Sequence, residues 1–288
     1  MKTKSPRLVA LLLLSTTWAA AQGSYTFQAV NYPGATFTRV FGVNDHNQAV
    51  GDDLVSTRPA GHQVQGFLYS DGVLTDISVN GNRTLARDIN NPGQIVGWFR
   101  DADTGINHGF LYSAGAYQTL DYPGAAETFA TGINDRGDIV GFYADSNAAE
   151  HGFLLSTGVY STFDAPTAID TAAGDINNGG LIVGSYDTGD LDTAHGFRVK
   201  NGVITRVDLP GAINTGPSGV NDRGDTCGLF DDSATRHGFV LTASGSLTVI
   251  NFPGSTATIA SRINAQRVIG GNYRDADGVQ HGYIAIPK

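Results

Sequence analysis

DYPGAAETFATGINDRGDIVGFYADSNAAEHGFL, residues 121 to 154, is one version of a phrase that recurs along almost the whole chain. Aligned on its Asn, the copies fall at Asn44, Asn90, Asn134, Asn177, Asn221 and Asn264, with spacings of 43 to 46 residues. A fixed period in that range predicts a repeat architecture. Within the phrase, four short strands lie between turn signals. TFATGIN runs into the Gly-bearing turn NDRGD; DIVGFY, an Asp-rich loop, HGFLL, a small turn STG and YSTFDAP follow. β-Branched and aromatic runs separated by Asn, Asp and Gly turns mark antiparallel hairpins, so each copy reads as a four-stranded meander.

The second strand is apolar on both faces, as in Ile95-Val96 with Trp98-Phe99 or Ile139-Val140 with Phe142-Tyr143. A sheet that hides both faces must sit between other sheets, and sheets stacked around an axis provide that for every copy. The last copy stops at HGYIAIPK, one strand short, while SYTFQAVNYPG near the start is a fourth strand with no copy in front of it. Pairing the two closes a ring and removes two open edges. The predicted fold is therefore all-β: a six-bladed β-propeller of four-stranded antiparallel blades, the last closed by the N-terminal strand. The blades are expected over about 36–79, 83–122, 127–164, 170–209, 214–252 and 257–288 plus 25–30, within a single domain spanning 22–288. A finer pattern lies beneath. The odd blades read GVND, GIND and GVND, while blades two and four read DINN and blade six RINA, as in three copies of a two-blade unit.

The opening MKTKSPRLVALLLLSTTWAAAQGS has Lys2, Lys4 and Arg7 ahead of an apolar run and small residues up to Ala21. That layout predicts a signal peptide over 1–21 and a secreted protein, extracellular or periplasmic. The apolar run is about half of what a bilayer span requires, and no later segment comes close, so no membrane span is expected. Without residues 1–21 the chain keeps 15 Lys and Arg against 27 Asp and Glu, a net charge of −12. Such a surface repels phosphate backbones, which argues against nucleic acid as a partner. Cys227, the single cysteine, stands where sister copies carry a β-branched residue and is expected as a buried apolar side chain, with no disulfide possible within the chain.

The combination of IND or INN, an IVG strand and a His-Gly-Phe triplet followed by a Gly turn resembles the bacterial extracellular HAF repeat family. The triplets here are His108-Gly109-Phe110, His151-Gly152-Phe153, His195-Gly196-Phe197, His237-Gly238-Phe239 and His281-Gly282-Tyr283, with Gln65-Gly66-Phe67 in blade one. The resemblance covers nearly all of residues 22–288 and implies a secreted repeat protein. The family supplies no activity to carry over residue by residue.

Residues present in every blade are spread around the ring, too far apart to share one pocket. The triplet histidines therefore read as structural, bonding neighbouring backbone rather than forming a metal cluster, and Gln65 supports that reading as a poor metal ligand. Thr38, Thr84, Thr128, Thr171, Thr215 and Thr258, with the repeated Asn, are expected to hold turns and blade contacts through backbone amides. Function should lie where copies differ near the axis. Just before Ile-Asn the odd blades have Gly42, Gly132 and Gly219, whereas the even blades have Asp88, Asp175 and Arg262, with Arg87, Arg83, Glu127 and Asp170 close by. Facing one another in the channel, two carboxylates and a guanidinium could hold a polar ligand or a cation. Alternatively, each caps its own turn or pairs with a neighbour.

The loop between strands two and three is acidic in every blade, beside Tyr32, Tyr122, Leu209 and Phe252 of the YPGA-type connections. Asp101 with Asp103, and Asp275 with Asp277, have the spacing that starts a calcium loop but lack its distal Glu; solvated turn Asp is the competing explanation. Calcium is the one cofactor these loops suggest. Blade one has the longest such loop, DDLVSTRPAGHQVQ, and its Arg58 and His62 have no counterparts.

Two functions follow, both for a monomer. The first is a non-catalytic recognition module for extracellular polysaccharide or a small polar ligand, although Trp98 is the only tryptophan outside the signal segment available to stack on a sugar. The second is an exported hydrolase, lactonase or lyase with a central site around Asp88, Asp175, Arg262 and His62. The chain has no G-x-S-x-G turn and no H-E-x-x-H pair, and recognition is favoured. An envelope scaffold is the third possibility.

Overall fold

The computed structural model describes residues 25–58, 64–189 and 193–288. The expected signal segment and His62 lie outside them. The described chain forms six four-stranded antiparallel sheets arranged as the blades of a β-propeller. No helix of the described residues is long and apolar enough to cross a membrane. Blade three shows the pattern: an inner strand Glu127–Ile133, then Ile139–Ala144, Glu150–Ser156 and an outer strand Val159–Phe163, each paired with the next.

Blade six closes the ring as the repeat arithmetic predicts. Tyr25–Val30 pairs antiparallel with Gln280–Pro287, Tyr25 opposite Pro287 and Val30 opposite Gly282. The aromatic of each triplet (Phe67, Phe110, Phe153, Phe197, Phe239 and Tyr283) is fully buried, so the core lies within and between blades. That burial explains the run of apolar side chains on both faces of the second strands.

Every inner strand carries one irregularity that the repeat alignment does not reveal. Its register with the second strand shifts once, between Val40 and Gly42, Ala86 and Asp88, Ala130 and Gly132, Ala173 and Asp175, Pro217 and Gly219, and Ala260 and Arg262. Such a bulge leaves one residue unpaired and re-aims its side chain. The skipped residues are Phe41, Arg87, Thr131, Gly174, Ser218 and Ser261, and all six line the cavity at one end of the channel.

The odd-blade glycines have a steric cause. A Cβ at Gly42, Gly132 or Gly219 would lie 2.8, 2.7 or 2.9 Å from the Cα of Asp88, Asp175 or Arg262 in the following blade. Large and small residues alternate because adjacent inner strands touch backbone to backbone at that level.

Candidate functional site

The two ends of the channel are built differently. At the lower end lie the Asn turns that follow the inner strands; at the upper end lie the YPGA-type connections.

The repeated Asn form a closed belt at the lower end. Each Nδ2 donates to the Asn carbonyl oxygen of the next blade: Asn44 to Asn90, Asn90 to Asn134, Asn134 to Asn177, Asn177 to Asn221, Asn221 to Asn264, and Asn264 back to Asn44, at 2.9–3.3 Å. Their Oδ1 atoms mostly accept from amides of their own turns, as Asn134 does from Arg136 and Asp138. A second belt uses the next residue, alternately Asp and Asn. Asn91 donates to both Asp45 and Asp135, and Asn178 to both Asp135 and Asp222. Ala265 stands in the sixth place and leaves that belt open on one side. The cavity here is about 80 Å³, room for a few waters.

Above the belts the structure brings Asp88, Asp175 and Arg262 together, all buried. Arg262 Nε lies 3.1 Å from Asp88 Oδ1 and 3.6 Å from Asp175 Oδ2. Its terminal nitrogens donate to the carbonyls of Thr131, Gly174 and Ser218, so the guanidinium spans the axis. The carboxylates are held from the other side as well: Asp88 Oδ2 accepts from Ile133 N at 3.0 Å and Asp175 Oδ2 from Val220 N at 2.8 Å. Burial pushes both carboxyls up, Asp175 to about 7, against the opposing pull of Arg262. The trio faces inward and is spent on itself. Arg262 fills the space that a cation between the carboxylates would need. A strict threefold repeat would put a third Asp there, and Arg262 replaces that repulsion with neutralisation.

The upper funnel holds about 290 Å³. Its wall is lopsided. At three equivalent positions blades one to three carry Arg39, Phe41, Asp52, Leu85, Arg87, Trp98, Phe129, Thr131 and Phe142, whereas blades four to six carry Ala172, Gly174, Ser185, Gly216, Ser218, Leu229, Ile259, Ser261 and Asn272. The large side chains support one another. Phe129 stacks on Phe142 at 4.7 Å, Trp98 meets Phe129 edge-on at 5.4 Å, and Arg39 lies over Phe37 and Phe41 while paired with Asp52. Trp98 also has Arg83 over its ring at 5.6 Å. Arg87 projects from its bulge into the funnel, its guanidinium carbon 3.9 Å from the centre of the Phe41 ring.

The other candidates lie outside this centre. Tyr32 donates its hydroxyl to Asp76 at 2.7 Å, and Arg58 sits over the Tyr32 ring, 2.5 Å from buried Asp53. Blade one thus uses an Arg–Asp cluster where its sisters place an aromatic on the second strand. Tyr122 stacks flat on Tyr143 at 3.7 Å. Asp101 caps its own turn, accepting from Asp103 N and Thr104 N, which holds its carboxyl below the usual range. Asp275 is held low by His281, 2.8 Å away, and by Val279 N. Asp103 and Asp277 are exposed. No group of three or more His, Cys, Asp or Glu able to hold a metal occurs among the described residues.

The triplet histidines are structural, with a correction to their partner. Nδ1 meets a side chain rather than backbone, namely Asp121, Asp164, Asp208, Asn251 or Asn31 at 2.8–3.2 Å. Each imidazole ties the third strand to the residue heading the next YPGA-type turn. The repeated Thr accept from the amides of Tyr32, Val79, Tyr122, Ala165, Leu209 and Phe252, fixing those same turns. Cys227 is fully buried beside Gly219, and burial pushes its thiol well above the ordinary range.

Comparison with known proteins supports the architecture. No family model matches the chain, and no curated sequence does. Similar solved structures include a gluconolactonase from Xanthomonas campestris (TM-score 0.59, 14% identity, covering 93% of this chain and 91% of that one). A fucose-specific lectin from Aleuria aurantia aligns with TM-score 0.54 and 12% identity, over 88% of this chain and 97% of the lectin. A streptogramin B lyase aligns at 0.50 and 14%, over 92% and 89%. At these identities the likeness shows a shared propeller fold.

Proposed function

We propose that this is a secreted, non-catalytic recognition propeller of the HAF repeat type that binds an extracellular glycan unit in its upper funnel. The lopsided funnel carries the reading. One side presents Phe41, Arg87 and Phe142, and the other is mostly glycine, alanine and serine broken by Leu229, Ile259 and Asn272, leaving a concave space near the lower end of ligand-pocket sizes. Phe142, Leu229 and Ile259 offer apolar surface, and Thr131, Ser185 and Ser261 offer hydroxyls, the mixture a sugar ring requires.

Two further observations favour recognition over hydrolysis. Among the described residues, the funnel wall contains no carboxylate, imidazole or thiol to carry a proton. The carboxylates below it are already committed to Arg262. The repeated loop aromatics serve less well as six equivalent sites, since Tyr122 and Phe252 are stacked on Tyr143 and Tyr273. Titration calorimetry against a panel of neutral and acidic oligosaccharides tests the proposal. Saturable binding with one site per chain is expected, and failure of every sugar to saturate would refute it.

A further inference from the structure

Several arginines around the upper half of the molecule are paired with carboxylates, and Arg83, Arg100 and Arg274, which make no ion pair among the described residues, are exposed to solvent. Arg39 is bonded to Asp52, Arg58 to Asp53, Arg206 to Asp208, Arg236 to Asp231, and Arg262 to Asp88 and Asp175. Arg87 differs. It makes no ion pair among the described residues, and its one close partner is the face of Phe41. Desolvation lowers it to about 10, opposed by the Asp52 carboxylate and assisted by neighbouring Arg262 and Arg39, yet it remains cationic at neutral pH. A half-buried guanidinium with no anion bonded to it carries a desolvation cost, and a ligand anion would offset that cost.

Resting on the glycan reading of the funnel, we propose that its ligand is a sugar bearing a carboxylate, a uronate unit, whose carboxylate pairs with Arg87. Three features select this class. Only one funnel charge is unneutralised, which matches a monoanion better than a phosphate monoester. The planar guanidinium fork fits a planar carboxylate through two parallel N–H donors. The small-residue wall opposite, with Ser185 and Ser261, leaves room for the ring and its hydroxyls. The acidic surface, net −12 without residues 1–21, opposes dense polyanions, so the preferred form is a single unit or a chain end.

The test compares methyl glucuronoside with its methyl ester, which has the same ring and lacks the charge, using protein lacking residues 1–21 and its Arg87→Gln and Arg87→Lys variants. The acid is expected to bind about tenfold or more tighter than the ester. Arg87→Gln should lose that preference while retaining the ester's affinity, and Arg87→Lys should keep part of it. A sugar sulfate ester serves as the competing monoanion, and tighter binding of sulfate than of uronate overturns the carboxylate assignment. Equal affinity for acid and ester in the native protein, or an unchanged preference in Arg87→Gln, overturns the inference and leaves sugar recognition standing. Failure of acid, ester and sulfate alike overturns this inference and the glycan reading with it. Melting temperatures of the variants identify any loss caused by unfolding.

Discussion

The two ends of the channel are made from the same six strands and behave as opposites. At the lower end, the same Asn recurs in all six blades and closes a belt of hydrogen bonds around the axis. At the upper end, the six bulge residues are Phe, Arg, Thr, Gly, Ser and Ser, and they enclose a cavity more than three times larger than the one below. Uniformity gives closure; departure from it gives a surface that can distinguish one ligand from another. Between the two, Arg262 with its carboxylates separates the funnel from the belts.

The largest expected effect comes from breaking that separation. Arg262→Ala leaves Asp88 and Asp175 buried without their cation and should cost about 3–5 kcal/mol in urea denaturation. Arg262→Met combined with Asp88→Asn and Asp175→Asn should recover most of that loss, because no charge is then left unpaired. If Arg262→Ala were neutral, the trio would not be a closed ion cluster.

Next is the belt itself. Asn134→Ala removes one link to Asn177 and the cap on its own turn, and about 1–3 kcal/mol should be lost. The equivalent change at any other belt position should cost a similar amount, whereas changes at the six bulge positions should differ widely from one another.

An effect seen only as a pH dependence concerns blade one, where Asp53 is raised to about 6 by burial despite Arg58, with Asp76 and Asp52 adding to the rise. A carboxyl with its folded pKa above the unfolded value favours folding in its protonated form. Its contribution is therefore complete below about pH 4 and is lost as pH rises through 6. Compared with Asp53→Asn, the native protein should lose on the order of 2 kcal/mol between pH 4 and 6.5. A constant difference between the two across that range would show that Asp53 is ionised as easily folded as unfolded.

Most of the fold was legible in the sequence because a propeller repeats its instructions. The Asn period predicts the blade count, and the orphan strand at Tyr25–Val30 predicts the closure. The alternation of Asp88, Asp175 and Arg262 with glycine was readable too, but their inward aim was not, because a one-residue change of register along the inner strand reverses it. What they do there was not readable either. Whether three facing charges bind a ligand or one another depends on the reach of a single Arg side chain, which spacing does not encode. The bulge hid the funnel's lining, since one skipped residue per strand leaves the apolar pattern intact while turning a neighbouring side chain toward the axis. Its trace was present as an inner-strand position that differs in almost every blade, with Phe41, Arg87 and Thr131 in the first three and Gly174, Ser218 and Ser261 in the rest. Blade one's Arg58 was recognisable as an exception, yet its target, the buried Asp53, became clear only from the pairing of the strands.

The central claim is that ligand enters at the varied end and not at the uniform one. Ala172→Trp should fill the open side of the funnel, and Ala265→Trp the gap in the lower belt. Saccharide titration of the two variants beside the native protein, with melting curves to confirm folding, tests the claim directly. Binding should vanish in Ala172→Trp and persist in Ala265→Trp. Loss of binding in Ala265→Trp with retention in Ala172→Trp would place the site at the wrong end and contradict the account.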